Sequence, residues 1–179
     1  MKHVIGPRNE IGQKSIFNIL GPLTNPASAK RQLMGVYDKK WMLPIAEVLK
    51  ELGSDHLLIV HSEDGLDEIS IASSTFVVEM KNGQISEYEI FPEDFGFKRS
   101  SLEGLQVSSP EESLRIAKSA LIGEHEEASA MVAMTAGAAL YISNIADSLE
   151  SGMNLAKDCI EEGGGIKKLN QLVEFSSKF

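Results

Sequence analysis

A chain of 179 residues with 42% hydrophobic side chains holds enough apolar material for one well-buried core, and its length argues for one domain rather than two. Its net charge of −9 is spread along the chain with no basic stripe, which disfavours nucleic acid as a partner, and the single cysteine, Cys159, excludes an internal disulfide and a cysteine-based zinc site. The apolar runs are only a few residues long and "MKHVIGPRNEIG" has no core of signal-peptide length, so neither a membrane span nor export is expected and the chain reads as cytoplasmic.

From the N-terminus, "NEIGQKSIFNILG" places Ile11, Ile16, Ile19 and Leu20 at near-helical spacing, with Gly21-Pro22 as a stop, so a helix ends at "GPLTNP". "RQLMGVY" (31–37) reads as a strand, "KWMLPIAEVLKELG" (40–53) as a helix closed by Gly53, and "HLLIVH" (56–61) as a second strand. Together they form a βαβ unit with two parallel strands, both buried because their apolar runs are continuous rather than alternating. In "TFVVEMKNGQISEYEIF", Asn82-Gly83 joins two alternating segments and signals a hairpin with a type I′ turn, which makes the sheet mixed.

"SPEESLRIAKSALIG" opens a helix with Ser109 as N-cap, Pro110 in the first turn and Glu112 three residues after the cap, and closes it at Gly123. The nearly all small or apolar stretch from Ala128 to Leu149 predicts one helix buried on several faces, with Gly137, Ala138 and Ala139 permitting close backbone approach. Two more helices are expected over 152–162 and 166–178, separated by "GGG". Two parallel strands and a hairpin make fewer strands than an α/β sheet usually has, so the sheet looks incomplete.

Candidate sites follow from position and residue type. "HSEDGLDEIS" (61–70) puts Glu63, Asp64, Asp67 and Glu68 at the carboxyl end of the second strand, where open α/β sheets bind ligands. Asp67 and Glu68 on a turn suit Mg2+, a hard ion that takes oxygen ligands and keeps several waters; a solvated acidic turn has the same sequence. Arg8 precedes the first helix, where a fixed guanidinium could clamp a carboxylate in two bonds; an ordinary surface arginine has the same sequence. "GPLTNP" is a stiff loop that fits either a pocket wall or a tight connection. "GGGIKKL" follows a helix and lacks the Walker spacing, so it reads as a glycine-rich C-cap rather than a phosphate loop. His3, His56, His61 and His125 show no ligand spacing.

In this order, "MKHV", "IFNILGPLTNPA", "QLMGVY", "DGLDEIS" and "PEDFGF" resemble the C-terminal half of the anthranilate phosphoribosyltransferase family. The resemblance implies an α/β fold with a mixed, mostly parallel sheet flanked by helices, part of the large domain of a phosphoribosyltransferase of the nucleoside-phosphorylase type. It implies transfer of phosphoribose from phosphoribosyl pyrophosphate to the amine of anthranilate, in tryptophan biosynthesis, with Mg2+ as cofactor. By the same resemblance Asp67 and Glu68 bind the Mg2+ on the pyrophosphate, Arg8 contacts the anthranilate carboxylate, and Gly21 and Pro22 border the anthranilate tunnel; Glu63 and Asp64 are left as turn and supporting residues.

The chain also departs from the family. Members are nearly twice as long, and the "GTGGD" loop that cradles the phosphates is not in this sequence. "TAGAAL" (135–140) stands where Asn-Ala-Ala is usual, and Lys14 replaces an arginine before "IFN". A truncated gene, a separately expressed fragment and one piece of a split enzyme all fit. The resemblance therefore implies a chain that is inactive alone and associates with the missing N-terminal half or with itself. Two other readings are a relative of the pyrimidine nucleoside phosphorylases and a non-catalytic interaction module.

Overall fold

The computed structural model describes residues 20–179 together with Ile5, Gly6, Glu10 and Gly12. Arg8 lies outside the described residues, as does the first expected helix apart from Glu10, Gly12, Leu20 and Gly21. That helix was expected to stop at Gly21-Pro22, but α1 (Leu20–Leu23) runs through both residues. The chain turns off one residue later, where the Thr24 hydroxyl donates to the Leu20 carbonyl (2.8 Å) and the Asn25 side chain accepts from the Ala27 amide (2.9 Å).

Four strands follow in the order β1-β2-β3-β4: β1 (Arg31–Gly35), β2 (His56–Ser62), β3 (Thr75–Lys81) and β4 (Gln84–Ile90). β1 and β2 are parallel, with Arg31 opposite His56 and Gly35 opposite Val60, and α2 (Met42–Glu51) connects them. The β2/β3 and β3/β4 pairings are antiparallel. The sheet is thus mixed as expected, but among the described strands "mostly parallel" does not hold, because the hairpin adds two antiparallel pairings to the single parallel one. At the hairpin tip Asn82 (φ 52°) and Gly83 (φ 77°) are both left-handed, as a type I′ turn requires.

β2 is buried on both faces, which is why its sequence is a continuous apolar run. Leu57 and Ile59 face the α2 side with Met34, Ile45, Ala46 and Leu49, while Leu58 and Val60 face a second core built with Met134, Ala138 and Met153. Of the four helices on that side, α3 (Pro110–Ala120), α4 (Glu126–Ile142), α5 (Leu149–Glu161) and α6 (Gly164–Ser176), α4 and α5 supply this core, while α3 packs on α4 and α6 on α5. Ser109 caps α3 through its hydroxyl, which accepts from the Glu112 amide (3.1 Å); the Glu112 carboxylate reaches the Ser108 amide instead of closing a reciprocal box.

The single helix expected over 128–149 is two helices. Asn144 adopts a left-handed conformation (φ 60°) after α4, and Ser148 caps α5 through its hydroxyl, so the break falls at 143–148. The close approach expected of the small residues occurs between these two helices: a Cβ on Gly137 would lie 2.5 Å from the Met153 backbone, and one on Gly152 would lie 2.3 Å from the Gly137 carbonyl oxygen. α5 and α6 each begin earlier than expected, α5 because Ser148 caps it and α6 because Gly163 (φ 71°) is its cap and the next two glycines belong to the helix. Cys159 is exposed on α5. Among the described residues no helix is long and apolar enough to cross a membrane.

Candidate metal and substrate site

The acidic stretch crosses from the end of β2 to the start of β3, at the edge of the sheet where β1 and β2 both present their carboxyl ends. Its shape is set by its own short polar side chains. One oxygen of Asp64 accepts from the Leu66 amide (3.1 Å) and the other from the Ser70 hydroxyl (2.6 Å), while Gly65 supplies a left-handed residue (φ 91°) that lets the Leu66 carbonyl return to the Ser62 amide (2.9 Å). Asp64 is therefore a turn residue. Glu63 accepts only a long bond from the Ser74 hydroxyl (3.3 Å).

Beneath the turn lies a buried chain of hydroxyls. The Glu68 carbonyl can only accept, so Ser62 Oγ donates to it; Thr75 Oγ1 must then donate to Ser62 Oγ (2.9 Å) while accepting from the Ser70 amide (3.1 Å). Ser62, Ser70 and Thr75 are each at most 1% exposed, so these bonds form away from water and hold the main chain in one arrangement. On the other side, Gly35 at the end of β1 lies directly against the main chain of Asp67. A Cβ built there would fall 1.6 Å from the Asp67 carbonyl oxygen, so the loop occupies the space a side chain would need. Next to it the His61 ring donates from Nδ1 to the Val36 carbonyl (2.8 Å), tying the ends of β1 and β2 together.

On this fixed backbone, the side chains of Asp67 and Glu68 are exposed, and among the described residues none donates to either carboxylate. Partial desolvation, and secondly the charge of Asp67, holds the Glu68 carboxyl above the ordinary carboxylate value. Two adjacent exposed carboxylates fit an ion that keeps most of its own waters, as Mg2+ does. They do not build an all-protein cage: the described residues contain no group of three or more acidic, histidine or cysteine side chains able to hold a metal.

The other predicted residues lie elsewhere. Gly21 and Pro22 are exposed on α1, and Pro22 lines a cleft of about 210 Å3 with Asn25, Lys30, Gln32, Leu52 and Ser54, near the amino ends of β1 and β2. No described atom comes within 4 Å of a Cβ position on Gly21, and no residue of the acidic turn lines that cleft. A larger cleft, about 530 Å3, opens between the loop at 96–100, the start of α4 and α5, and contains none of the predicted residues. Its Lys157 is already engaged, donating to the Phe95 carbonyl (2.8 Å) and lying over the Phe97 ring.

Among the histidines, His56 is buried and its Nε2 bonds Glu79 (2.8 Å), while His125 caps α4. Both are structural, in keeping with their lack of ligand spacing. What sequence reasoning missed was the support of the acidic pair. Gly35 carried a legible signal, an isolated glycine inside a strand, which marks close backbone approach. Ser62 carried none that separates it from its neighbouring serines.

A curated anthranilate phosphoribosyltransferase of Marinomonas sp. is 53% identical over the whole of this chain, and one of Saccharophagus degradans is 49% identical over 99% of it. The chain spans about half the length of these relatives, 52% and 53%, and the half it matches is the C-terminal one. The crystal structure of anthranilate phosphoribosyltransferase from Thermus thermophilus superposes with a TM-score of 0.88 at 37% identity, covering 98% of this chain and 52% of that one. The Saccharomyces cerevisiae enzyme in complex with PRPP and Mg gives 0.88 at 25% identity, covering 100% and 52%. The family model described as "Glycosyl transferase family, a/b domain" matches residues 1–166, and the chain belongs to that family.

Proposed function

We propose that the chain is the C-terminal portion of an anthranilate phosphoribosyltransferase and carries the metal-binding side of its active site. The observation that carries this reading is the exposed Asp67–Glu68 pair, held on a fixed main chain at the carboxyl ends of a parallel strand pair with no described donor to neutralise it. In the reaction, the bond from the ribose C1 to the pyrophosphate oxygen breaks, the anthranilate nitrogen forms a new bond to C1, and that nitrogen gives up a proton. Mg2+, when bound, supplies positive charge that offsets the charge on the departing pyrophosphate. Asp67 and Glu68 are the residues that would hold it; Arg8 receives the anthranilate carboxylate, and Gly21 and Pro22 border its path. The assignment of these three rests on the family resemblance.

On this reading the 179 residues are one incomplete domain acting in the cytoplasm. β1 is an edge strand among the described strands, and α6 exposes Leu172, Val173 and Phe175. Open edges and contiguous apolar surface call for a cover, which is the missing N-terminal half or a second copy of the chain. The same surfaces favour a second reading, a non-catalytic module that associates through them.

Anthranilate fluorescence separates the two. With phosphoribosyl pyrophosphate and Mg2+, the chain alone should show no turnover, because positioning supplies on the order of 7 to 11 kcal/mol in a two-reactant displacement and half a site cannot position both. Light scattering should give a mass above that of the 19.5 kDa monomer. Adding the N-terminal half of a relative should restore anthranilate consumption. Failure of restoration in a formed complex favours the module, and turnover by the isolated monomer would contradict the division of the site.

A further inference from the structure

We infer that Gly35 and Ser62 are positioning residues, which together fix the main chain under Asp67 and Glu68 in the geometry that a divalent cation with pyrophosphate requires. The inference rests on reading the acidic pair as a Mg2+ site and adds what makes that pair competent. Each residue acts on a different carbonyl. The Asp67 carbonyl oxygen occupies the place of a Gly35 side chain, with only 1.6 Å between it and an ideal Cβ, and neither atom belongs to a flexible side chain that could swing away. Gly35 is not among the residues with positive φ, so the requirement is for space and not for backbone freedom. The Glu68 carbonyl is held from beneath by Ser62, whose hydroxyl is fully buried and is itself held by Thr75.

The two anchors sit on adjacent strands at the same edge of the sheet, and between them they hold consecutive peptide units. Neither touches the carboxylates, so their effect passes through the backbone. A single added methyl at Gly35 displaces Asp67, and loss of the Ser62 hydroxyl leaves the Glu68 carbonyl without its donor. Residues that orient metal ligands from behind commonly change metal affinity about 10- to 100-fold when removed.

The test uses the 179-residue chain, with Mn2+ as an oxygen-seeking probe ion and inorganic pyrophosphate as its co-ligand, followed by electron paramagnetic resonance well below each variant's melting temperature. Gly35→Ala should weaken binding of the Mn2+ and pyrophosphate complex by about 10- to 100-fold, and Ser62→Ala should weaken it in the same direction. Gly137→Ala, whose added Cβ meets Met153 in the α4/α5 contact and neither Asp67 nor Glu68, should lower the melting temperature and leave the affinity unchanged. The Asp67→Asn, Glu68→Gln double variant should abolish binding. Binding that survives the double variant would defeat the metal reading itself, whereas loss in the double variant with unchanged affinity in Gly35→Ala and Ser62→Ala would overturn the positioning inference alone. Amide hydrogen exchange of the 63–74 segment reads positioning without any metal. Faster exchange there in either single variant, with the rest of the chain unchanged, supports the inference, and unchanged exchange in both refutes it even if the wild-type chain binds no Mn2+.

Discussion

The sheet carries two sets of carboxylates in opposite circumstances. Glu79, on β3, is nearly buried and fully engaged: one oxygen accepts from His56 Nε2 and from the Tyr141 hydroxyl (2.8 Å each), the other from the Tyr88 hydroxyl (2.9 Å). These partners come from β2, α4 and β4, so one side chain ties a helix and three strands together. Burial first, and the neighbouring Glu79 charge second, pushes the Tyr88 hydroxyl far up; burial and the bond to Glu79 also raise Tyr141. At the other end of β2, Asp67 and Glu68 have a main chain held as firmly as Glu79's but carboxylates that no described residue meets. A charge surrounded by donors is part of the fold, and a charge denied them on a rigid backbone is available to a ligand.

That contrast is broken most directly at Glu79. Glu79→Ala should cost about 3 to 5 kcal/mol, because three donors in a nearly dry site lose their acceptor at once. Urea denaturation should show a lower midpoint with an unchanged slope; a loss below about 1 kcal/mol would mean that the network is ornament on an already determined fold. Asp64 sharpens the comparison from within the acidic turn. It is the one carboxylate there with two close donors, so Asp64→Ala should cost about 1 to 2 kcal/mol from its bonds to Ser70 and the Leu66 amide. A thermal melt measures it, and an effect as large as that of Glu79 would show that the turn is part of the core rather than a platform on it.

Much of this was readable in the sequence. The period of the apolar residues gave the βαβ unit, Asn82-Gly83 gave the hairpin, and Ser109-Pro110 gave the start of α3, since each is a local signal acting on its own segment. The α4/α5 boundary was lost because a run of small apolar residues has no clear face, which hid the local stop at Asn144 and cap at Ser148. The acidic pair was visible from its place after a buried strand, but its support was not. Gly35, an isolated glycine in a strand, signals a close approach but not that Asp67 makes it, and nothing local announces the convergence of His56, Tyr88 and Tyr141 on Glu79, because both are formed between segments distant in sequence.

The smallest expected effect has the opposite sign. Glu68 is held above its ordinary value, 4.5, chiefly by desolvation, so the fold disfavours its charged form. Below that ordinary value the carboxyl is protonated in folded and unfolded chains alike and brings no penalty. As pH rises from there through the raised folded value, the unfolded chain loses its proton first, and stability that was present in acid is lost, the loss being complete above that folded value. Glu68→Gln cannot ionise and escapes this loss. Without metal it should melt slightly above the wild-type chain at pH 7, with the gap closing as pH falls below 4.5. Asp67 reinforces the effect, since its charge is the second cause of the shift, so the gap should shrink when both chains also carry Asp67→Asn. A Glu68→Gln chain that melts at or below the wild type at pH 7 would show that some favourable contact holds the ionised carboxylate, and the pair would then resemble Glu79 instead of contrasting with it. If the gain is found, the chain carries a charge that weakens its own fold until a cation arrives, which is the physical signature expected of a ligand site and not of a solvated acidic turn.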